Sequence, residues 1–167
     1  MISNGKLKSI FEAHHRDIYA LTYSYLHNRE EAEEITQETF LKLLRHDHLP
    51  VGDAEMKRWL FKVAVNRCLD RFRSLKIIEK WISQMTSWRE TETTAHQGAV
   101  VQEIKQALSL LDGKSRMAVL LKYYEDMTHS EIAEIMGIPE GTVKSLLSRA
   151  IKKIEVSNSE VLCAMKK

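Results

Sequence analysis

The stretch that most constrains the fold runs from residue 128 to 150, THSEIAEIMGIPEGTVKSLLSRA, and predicts two short helices around a tight turn. Thr128 and Glu131 have the spacing of a capping box, which begins a helix. Gly137 ends that helix, because a chain reversal needs a residue that tolerates positive φ, and Pro139 suits the first turn of the next helix. The pattern is that of a helix-turn-helix, whose second helix is offered to the major groove of DNA.

The second helix of this pair divides its side chains between two faces. Val143, Leu146 and Leu147 point inward, and Ala133 is small enough to let the two helices approach closely. A helix, a glycine and a helix also form ordinary corners in protein cores. The basic residues here favour DNA instead, because phosphates need cations near the recognition helix. The outer side carries Glu140, Thr142, Lys144, Ser145, Ser148 and Arg149, and Lys152 and Lys153 continue the basic run.

The composition of the whole chain indicates an all-α protein, since its 167 residues include only two prolines and six glycines. Because the formal net charge is only +2, affinity for nucleic acid must come from local clustering of charge. Cys68 and Cys163 lack the spacing of a disulfide scaffold or zinc knuckle, so we expect reduced thiols in a cytoplasm. No apolar run reaches membrane-spanning length, which predicts a soluble cytoplasmic protein without direct membrane insertion.

Two helices are predicted before residue 46. Apolar residues recur at helical spacing from Leu7 to Tyr25, with Phe11 among them, and a turn follows at His27 and Asn28. The second helix begins at Glu30, and its inward face carries Ala32, Ile35, Thr39, Phe40, Leu43 and Leu44. Its outward face carries Glu31, Glu34, Gln37, Glu38 and Lys42. That acidic face is either simply solvated or a docking surface for a basic partner.

Residues 46 to 53 form a loop, because Pro50 and Gly52 break helices, and Asp53 can cap the helix that follows. This loop carries two histidines, His46 and His48, and such a pair suggests a metal-binding site. The segment has no further ligands at zinc spacing, so we expect none.

The third helix, residues 56 to 76, separates an apolar side from a polar one. The polar side collects Trp59, Lys62, Asn66, Asp70 and Arg73, flanked by Arg58, Arg67 and Arg71. An aromatic ring for stacking beside positive charge is what single-stranded nucleic acid requires. The alternative is that Trp59 packs in the core and the arginines are merely solvated. The recurrence of basic residues, with only Asp70 opposing them, favours a binding face.

The predicted organisation is a domain at 1–75, a linker at 76–97, a second domain at 98–155 and a tail at 156–167. The linker is apolar in its first half and polar from Thr91 onward. Its apolar half either extends the third helix, covers the first domain or awaits a partner. The second domain opens with a helix ended by Asp112 and Gly113, continues with a helix from Ser115, and closes with the helix-turn-helix.

Three segments, in this order and at these separations, resemble bacterial extracytoplasmic-function (ECF) sigma factors of the sigma-70 family. EEAEEITQETFLKL resembles the family's second-region helix and WLFKVAVNRCLDRFR its promoter-melting helix. The third segment, which resembles the family's fourth region, is LLDGKSRMAVLLKYYEDMTHSEIAEIMGIPEGTVKSLLSRA. The resemblance implies an all-α fold: a three-to-four-helix N-terminal bundle and a four-helix C-terminal domain joined by a linker. It also implies a specificity subunit of RNA polymerase with no catalytic site, metal or cofactor of its own.

The resemblance assigns a role to each surface. The acidic helix would dock on the coiled coil of the largest polymerase subunit through Glu34, Gln37 and Glu38. The loop at 46–53 would receive a flipped base, and the third helix would hold the −10 element as a single strand. The candidate residues of the third helix for binding the −10 strand are Arg58, Trp59, Lys62, Asn66, Arg67 and Arg73. The −35 element would be read as duplex through Thr142, Lys144, Ser145, Ser148 and Arg149, with Lys152 and Lys153 on phosphates.

The resemblance further implies that the linker follows the RNA exit path of polymerase and that an anti-sigma factor holds the protein inactive. The apolar first half of the linker departs from the polar linkers of the family. Two other functions stay open on the residues alone. One is a dimeric helix-turn-helix repressor or activator of duplex DNA, which has no use for the polar face of the third helix. The other is a metal-dependent enzyme using His14, His15, His46 and His48, which lacks a cluster of ligands at metal spacing.

Overall fold

The computed structural model describes residues 4–46, 49–85 and 99–157. Within these ranges the chain forms seven helices and no strands. They are α1 (Asn4–Leu26), α2 (Arg29–Leu44), α3 (Asp53–Met85), α4 (Ala99–Ser109), α5 (Gly113–Tyr123), α6 (His129–Met136) and α7 (Glu140–Ser157). The all-α prediction, with a helical bundle followed by a four-helix unit, is confirmed. The exact domain limits stay predictions.

Side-chain caps begin three of these helices. The carboxamide oxygen of Asn28 accepts the Glu31 N–H at 3.1 Å, and α2 begins at Arg29, one residue before the predicted start. The Asp112 carboxylate accepts the N–H groups of two residues in the first turn of α5. Thr128 forms the predicted capping box at the start of α6. Each cap satisfies backbone donors that have no partner within the helix.

The turn between α6 and α7 has the predicted helix-turn-helix geometry. Gly137 adopts a left-handed conformation with φ of 64°, and its N–H donates to the carbonyl of Ala133. Helix α7 begins at Glu140, so Pro139 immediately precedes it instead of lying in its first turn. The Pro139 carbonyl accepts the N–H of Thr142 at 2.9 Å. Val143 is fully buried and fixes the crossing of the two helices.

The N-terminal bundle buries most of the predicted apolar stripe, including Ile18, Leu21 and Tyr25. Burial raises the pKa of the Cys68 thiol to about 12, so this cysteine is a packing residue. Two side chains expected inside are exposed: Phe11 by 42% and Leu44 by 37%. The Phe11 ring still meets the Phe40 ring of α2 with centroids 4.9 Å apart, but the contact between α1 and α2 encloses neither Phe11 nor Leu44.

Helix α3 continues past the predicted linker start to Met85. Of the alternatives for the apolar half of the linker, extension of the third helix therefore agrees with the structure. The rest of the predicted linker up to residue 98 lies outside the described residues, as do His48 and the tail from residue 158 onward.

The second helical unit packs directly on the first, and Gly113 lies in the contact. The Tyr25 hydroxyl donates to the Gly113 carbonyl at 3.1 Å. A Cβ at Gly113 would lie 2.7 Å from the Phe72 ring and 2.8 Å from the Tyr25 oxygen. The expectation that Asp112 and Gly113 end a helix is wrong, because Asp112 caps α5 and Gly113 begins it. The φ of Gly113 is not in the left-handed region, so its backbone conformation does not require glycine. Glycine is needed here because the two units approach each other closely.

Candidate nucleic-acid interface

The outer face of α7 is exposed along its length. Its opposite face is held in the core by Val143, Leu146, Leu147, Ala150 and Ile154. The structure places every predicted −35 side chain in solvent: Thr142, Lys144, Ser145, Ser148, Arg149, Lys152 and Lys153. This is the accessibility that a recognition helix requires. The DNA contacts themselves stay a prediction.

The polar residues on this face make local contacts within α7. The Lys144 ammonium lies 2.9 Å from the Glu140 carboxylate, and the Arg149 Nε donates to the Ser145 carbonyl at 3.2 Å. Exposed contacts between neighbouring turns contribute little stability. These side chains are therefore able to exchange their present partners for phosphate or base groups at small cost.

The polar face of α3 is also exposed where the sequence predicted it. Lys62, Asn66, Arg67 and Arg73 are exposed. Trp59 is half-buried: it packs against the core, and the His46 ring meets it edge-on with centroids 5.0 Å apart. Trp59 thus combines both interpretations of the sequence, because its ring is anchored in the core and still partly accessible.

The expectation that only Asp70 opposes the basic residues of α3 is wrong. Arg71 forms ion pairs with Glu31 at 2.7 Å and Glu34 at 2.6 Å. Arg67 lies 3.2 Å from Glu38. These carboxylates belong to α2, which packs beside α3, so the periodicity of α3 alone did not reveal them.

Two further arginines of this face have carboxylate partners. Arg73 pairs with Asp70 on its own helix at 2.8 Å, and both side chains are 63% exposed. Arg58 pairs with Glu134 of α6 at 3.3 Å, which joins the strand-binding candidates to the helix-turn-helix unit.

The predicted polymerase-docking residues lie on α2. Glu34 and Gln37 are exposed, and the Glu38 side chain is 38% exposed. Next to Gln37 lies a groove of about 460 Å³ that is mostly apolar. Its lining residues are Leu7, Lys8, Phe11, Gln37, Phe40, Leu41 and Leu44. Helical periodicity predicted Phe11 and Leu44 to lie in the core, so nothing in the sequence indicated this groove.

Three histidines of the metal-enzyme hypothesis lie among the described residues, and each contacts a different partner. His14 is buried, and its Nε2 lies 3.1 Å from Asp53. His15 stacks on Phe11, whereas His46 packs against Trp59. Among the residues that the structure describes, no group of three or more metal-ligating side chains is present. In the same part of the chain, no helix has the length and apolar content needed to cross a bilayer.

Both helical units match known protein families. Residues 10–77 match the family described as Sigma-70 region 2, and residues 101–154 match the family described as Sigma-70, region 4. The two matches take in most of α1, all of α2, most of α3 and nearly all of α4–α7. The chain is therefore a sigma-70-type protein that carries regions 2 and 4.

Comparison with individual proteins narrows this class. The ECF RNA polymerase sigma factor SigW of Bacillus subtilis (strain 168) is 32% identical over 146 residues, which cover 79% of this chain and 78% of SigW. The RNA polymerase sigma factor SigV of the same organism is 29% identical over 143 residues, 86% of this chain and 85% of SigV. The chain belongs to the ECF sigma factor family. Such proteins provide the promoter specificity of transcription initiation by RNA polymerase and are not themselves enzymes.

Solved structures share the fold. The sigma factor RpoE from Bartonella quintana, in complex with the anti-sigma factor NepR, superimposes with a TM-score of 0.71 at 24% identity, covering 94% of this chain and 96% of RpoE. CnrH, in complex with the cytosolic domain of CnrY, gives a TM-score of 0.66 at 20% identity and covers 97% and 90% of the two chains.

Proposed function

We propose that this protein binds core RNA polymerase in the cytoplasm and recognises promoters with two separate surfaces. The exposed face of α3 and the 46–53 loop hold the −10 element as a single strand. The exposed face of α7 reads the −35 element as duplex.

The observation that carries this proposal is the exposure of Asn66 and Arg73 on α3. This amide and guanidinium lie about two turns apart on one side of the helix, and Lys62 lies one turn before Asn66. Together they offer hydrogen bonds to bases and positive charge to the strand's backbone. Burial of these two residues would leave the helix without a strand-binding face. A regulator that binds duplex alone has no need for such a surface on its other helical unit.

Docking on polymerase is supported by the chemistry of α2. Glu34 and Glu38 present negative charge, and the groove beside Gln37 exposes Leu41 by 50%. An acidic row next to an apolar groove fits an amphipathic helix with basic residues at its edge. We assign this surface to the coiled coil of the largest polymerase subunit. The sigma factor RpoE, solved in complex with the anti-sigma factor NepR, supports a protein inhibitor of this class as a further partner.

The direct test is run-off transcription with core polymerase on genomic DNA, followed by mapping of the start sites. We expect a discrete set of starts that share two sequence elements and that are absent without the protein. An Asn66→Ala/Arg73→Ala variant should retain binding to core polymerase and lose opening of these promoters. Starts that do not depend on the protein would reject the proposal.

The dimeric-regulator alternative predicts the opposite preference for DNA form. A promoter fragment should bind this chain as the single non-template strand across the −10 element, and Asn66→Ala/Arg73→Ala should weaken that binding. Binding to duplex only, by a stable dimer in sedimentation, would favour the alternative.

The docking role of α2 can be tested with a pair of variants, one of which keeps an ion pair between α2 and α3. Replacing Glu38 alone by Arg confronts Arg67 with a like charge and disturbs the α2–α3 contact. The double variant Glu38→Arg/Arg67→Glu restores an ion pair and reverses the charge at position 38. We expect both variants to lose binding to core polymerase in a pull-down, with native helicity in the double variant. Binding restored by the double variant would show that Glu38 is only structural.

A further inference from the structure

We propose that His14 of α1 is a positioning residue for recognition of the −10 strand. It acts through Asp53 on residues 49–52 of the loop that receives a base, which we call the 49–52 segment. This inference rests on the proposed function of that loop. It gives a part in strand recognition to a helix that carries none of the predicted strand contacts.

His14 occupies a position where the pattern of α1 predicts an apolar side chain. It lies between Ile10 and Ile18 in the buried stripe of the helix, and only 5% of its surface is exposed. Burial of a polar ring costs free energy unless the ring has a polar partner. An aliphatic side chain would fill the same place without that cost, so the packing of α1 does not explain a histidine here.

The partner of His14 lies where the 49–52 segment enters α3. The Nε2 of His14 is 3.1 Å from the Oδ1 of Asp53, whose side chain is 82% exposed. Asp53 is the first residue of α3 and follows Gly52, where the backbone turns with a φ of 100°. An exposed carboxylate on its own has several rotamers open to it. Contact with a buried ring restricts Asp53, and with it the junction between the segment and the helix.

The position of the 49–52 segment depends on its ends, because a cavity lies behind it. This cavity of about 440 Å³ is lined by the segment on one side and by α1 on the other. Val51 in the segment is 85% exposed, and its N–H donates to the Glu55 carboxylate at 3.3 Å. Leu49 packs against the core at the first end. At the other end, the contact with His14 ties the segment to α1 across the cavity.

The 49–52 segment also borders the strand-binding face of α3. Pro50 lines both the cavity next to α1 and the cleft that contains Trp59 and Lys62. A shift of the segment towards the cavity would therefore move one wall of the place where an unpaired base is received. Such a base is read by hydrogen bonds, which weaken steeply with changes in distance and angle.

The contact can be removed from either side. His14→Leu keeps an apolar filling of the buried position, whereas Asp53→Ala changes an exposed position and leaves the buried ring in place. His14→Gln is the conservative variant, since its amide N–H is able to reach the same carboxylate. The matched control is Asp17→Asn, which breaks the Lys57–Asp17 ion pair of 3.2 Å. That pair also joins α1 to α3 but does not involve the segment.

Each variant is bound to core polymerase and titrated with a forked fragment of a mapped promoter. The non-template strand of this fragment is single across the −10 element. The same fragment is then prepared with one abasic site at each position of that strand in turn. The position at which an abasic site weakens the wild type most identifies the received base.

We expect this abasic site to weaken binding by the wild type about tenfold, the contribution of one well-held base. His14→Leu and Asp53→Ala should bind the intact fragment about tenfold more weakly, the effect of losing one polar contact to a carboxylate. They should bind the abasic fragment as the wild type does. The double variant should lose no more than either single variant, because both changes remove the same contact. His14→Gln should recover most of the preference for the intact fragment, and Asp17→Asn should match the wild type.

Three results would overturn the inference. One is equal weakening of the intact and the abasic fragments by His14→Leu and Asp53→Ala, which would indicate a structural role alone. Another is an abasic effect of wild-type size in folded Asp53→Ala, and the third is the same loss of preference in Asp17→Asn. A failure of the proposed function would look different, because the wild type itself would then show no effect of an abasic site at any position.

Discussion

Arg149 is the candidate on α7 best placed to read a base, because its long side chain is exposed and donates to the Ser145 carbonyl of its own helix. Arg149→Ala should weaken binding to a −35 duplex by about 1–3 kcal/mol and relax the preference at one base pair. Fluorescence anisotropy with a duplex from a mapped promoter, and with single-base variants of it, measures both effects.

Lys152→Ala is the matched comparison, since Lys152 is assigned to a phosphate. It should weaken all duplexes about equally and reduce the slope of log K against log salt concentration by about 1. Equal affinity of the wild type and Arg149→Ala for the promoter duplex would remove Arg149 from the recognition surface.

His27 gives the stability of the protein a dependence on pH. Burial, together with the charges of Lys105 and Arg116, lowers the pKa of His27 to about 4. In the unfolded chain histidine titrates near its ordinary value of about 6.5. Between these two values the unfolded state binds more protons, so stability is complete above about pH 6.5 and falls as the pH decreases towards 4.

The matched variant is His27→Asn, because His27 has a φ of 54° and asparagine tolerates the left-handed region. We expect urea midpoints of the wild type to fall more steeply than those of His27→Asn as the pH is lowered from 7 to about 4.5. Parallel curves for the two proteins would mean that His27 does not titrate in this interval.

Among the elements, α6 depends most on its cap, because it has only eight residues and short helices are marginal on their own. The Thr128 hydroxyl accepts the Glu131 N–H, and hydrogen bonds from the Thr128 backbone and side chain lower the pKa of the Glu131 carboxylate. Thr128→Ala should therefore destabilise the protein by about 1 kcal/mol. Chemical denaturation of this variant beside Ser130→Ala, a change on the exposed side of the same helix, measures the effect. An equal loss in both variants would contradict the role of the cap.

Elements whose signals are local could be predicted from the sequence. The Thr128 capping box, the left-handed Gly137 and the inward Val143 each depend on neighbours within a few residues, and the structure has them as predicted. Features that join distant segments could not be predicted in this way. The partner of Arg67 comes from α2, and the atoms that restrict Gly113 come from α1 and α3. A helix's own periodicity shows which face is polar, but not whose charges lie opposite it.

At the scale of the whole molecule, two kinds of electrostatic contact should respond differently to salt. The Arg58–Glu134 ion pair between the units is partly solvated, with side chains 40% and 58% exposed, so it adds little to the stability of the contact between the two units. The contacts of Arg116 are buried and made with carbonyl groups and an aromatic ring, where mobile ions screen weakly. The two units should therefore stay packed on each other when the sodium chloride concentration rises from about 0.05 M to about 0.5 M, a range that shortens the Debye length severalfold.

Binding of the −35 duplex should fall steeply over the same range, because each phosphate contact releases counterions. Spin labels at Glu12→Cys and Ser130→Cys, exposed positions on the first and second units, report the distance between the units in a Cys163→Ser background. This distance and the duplex affinity can be measured on one labelled sample, with Glu134→Gln as the variant that lacks the exposed ion pair. A distance that does not change with salt in either protein would place the free energy of the contact in the apolar surface around Gly113 and in Arg116. A distance that increases at high salt in the wild type would instead assign it to the Arg58–Glu134 ion pair. The two units of Glu134→Gln would then be apart already at low salt.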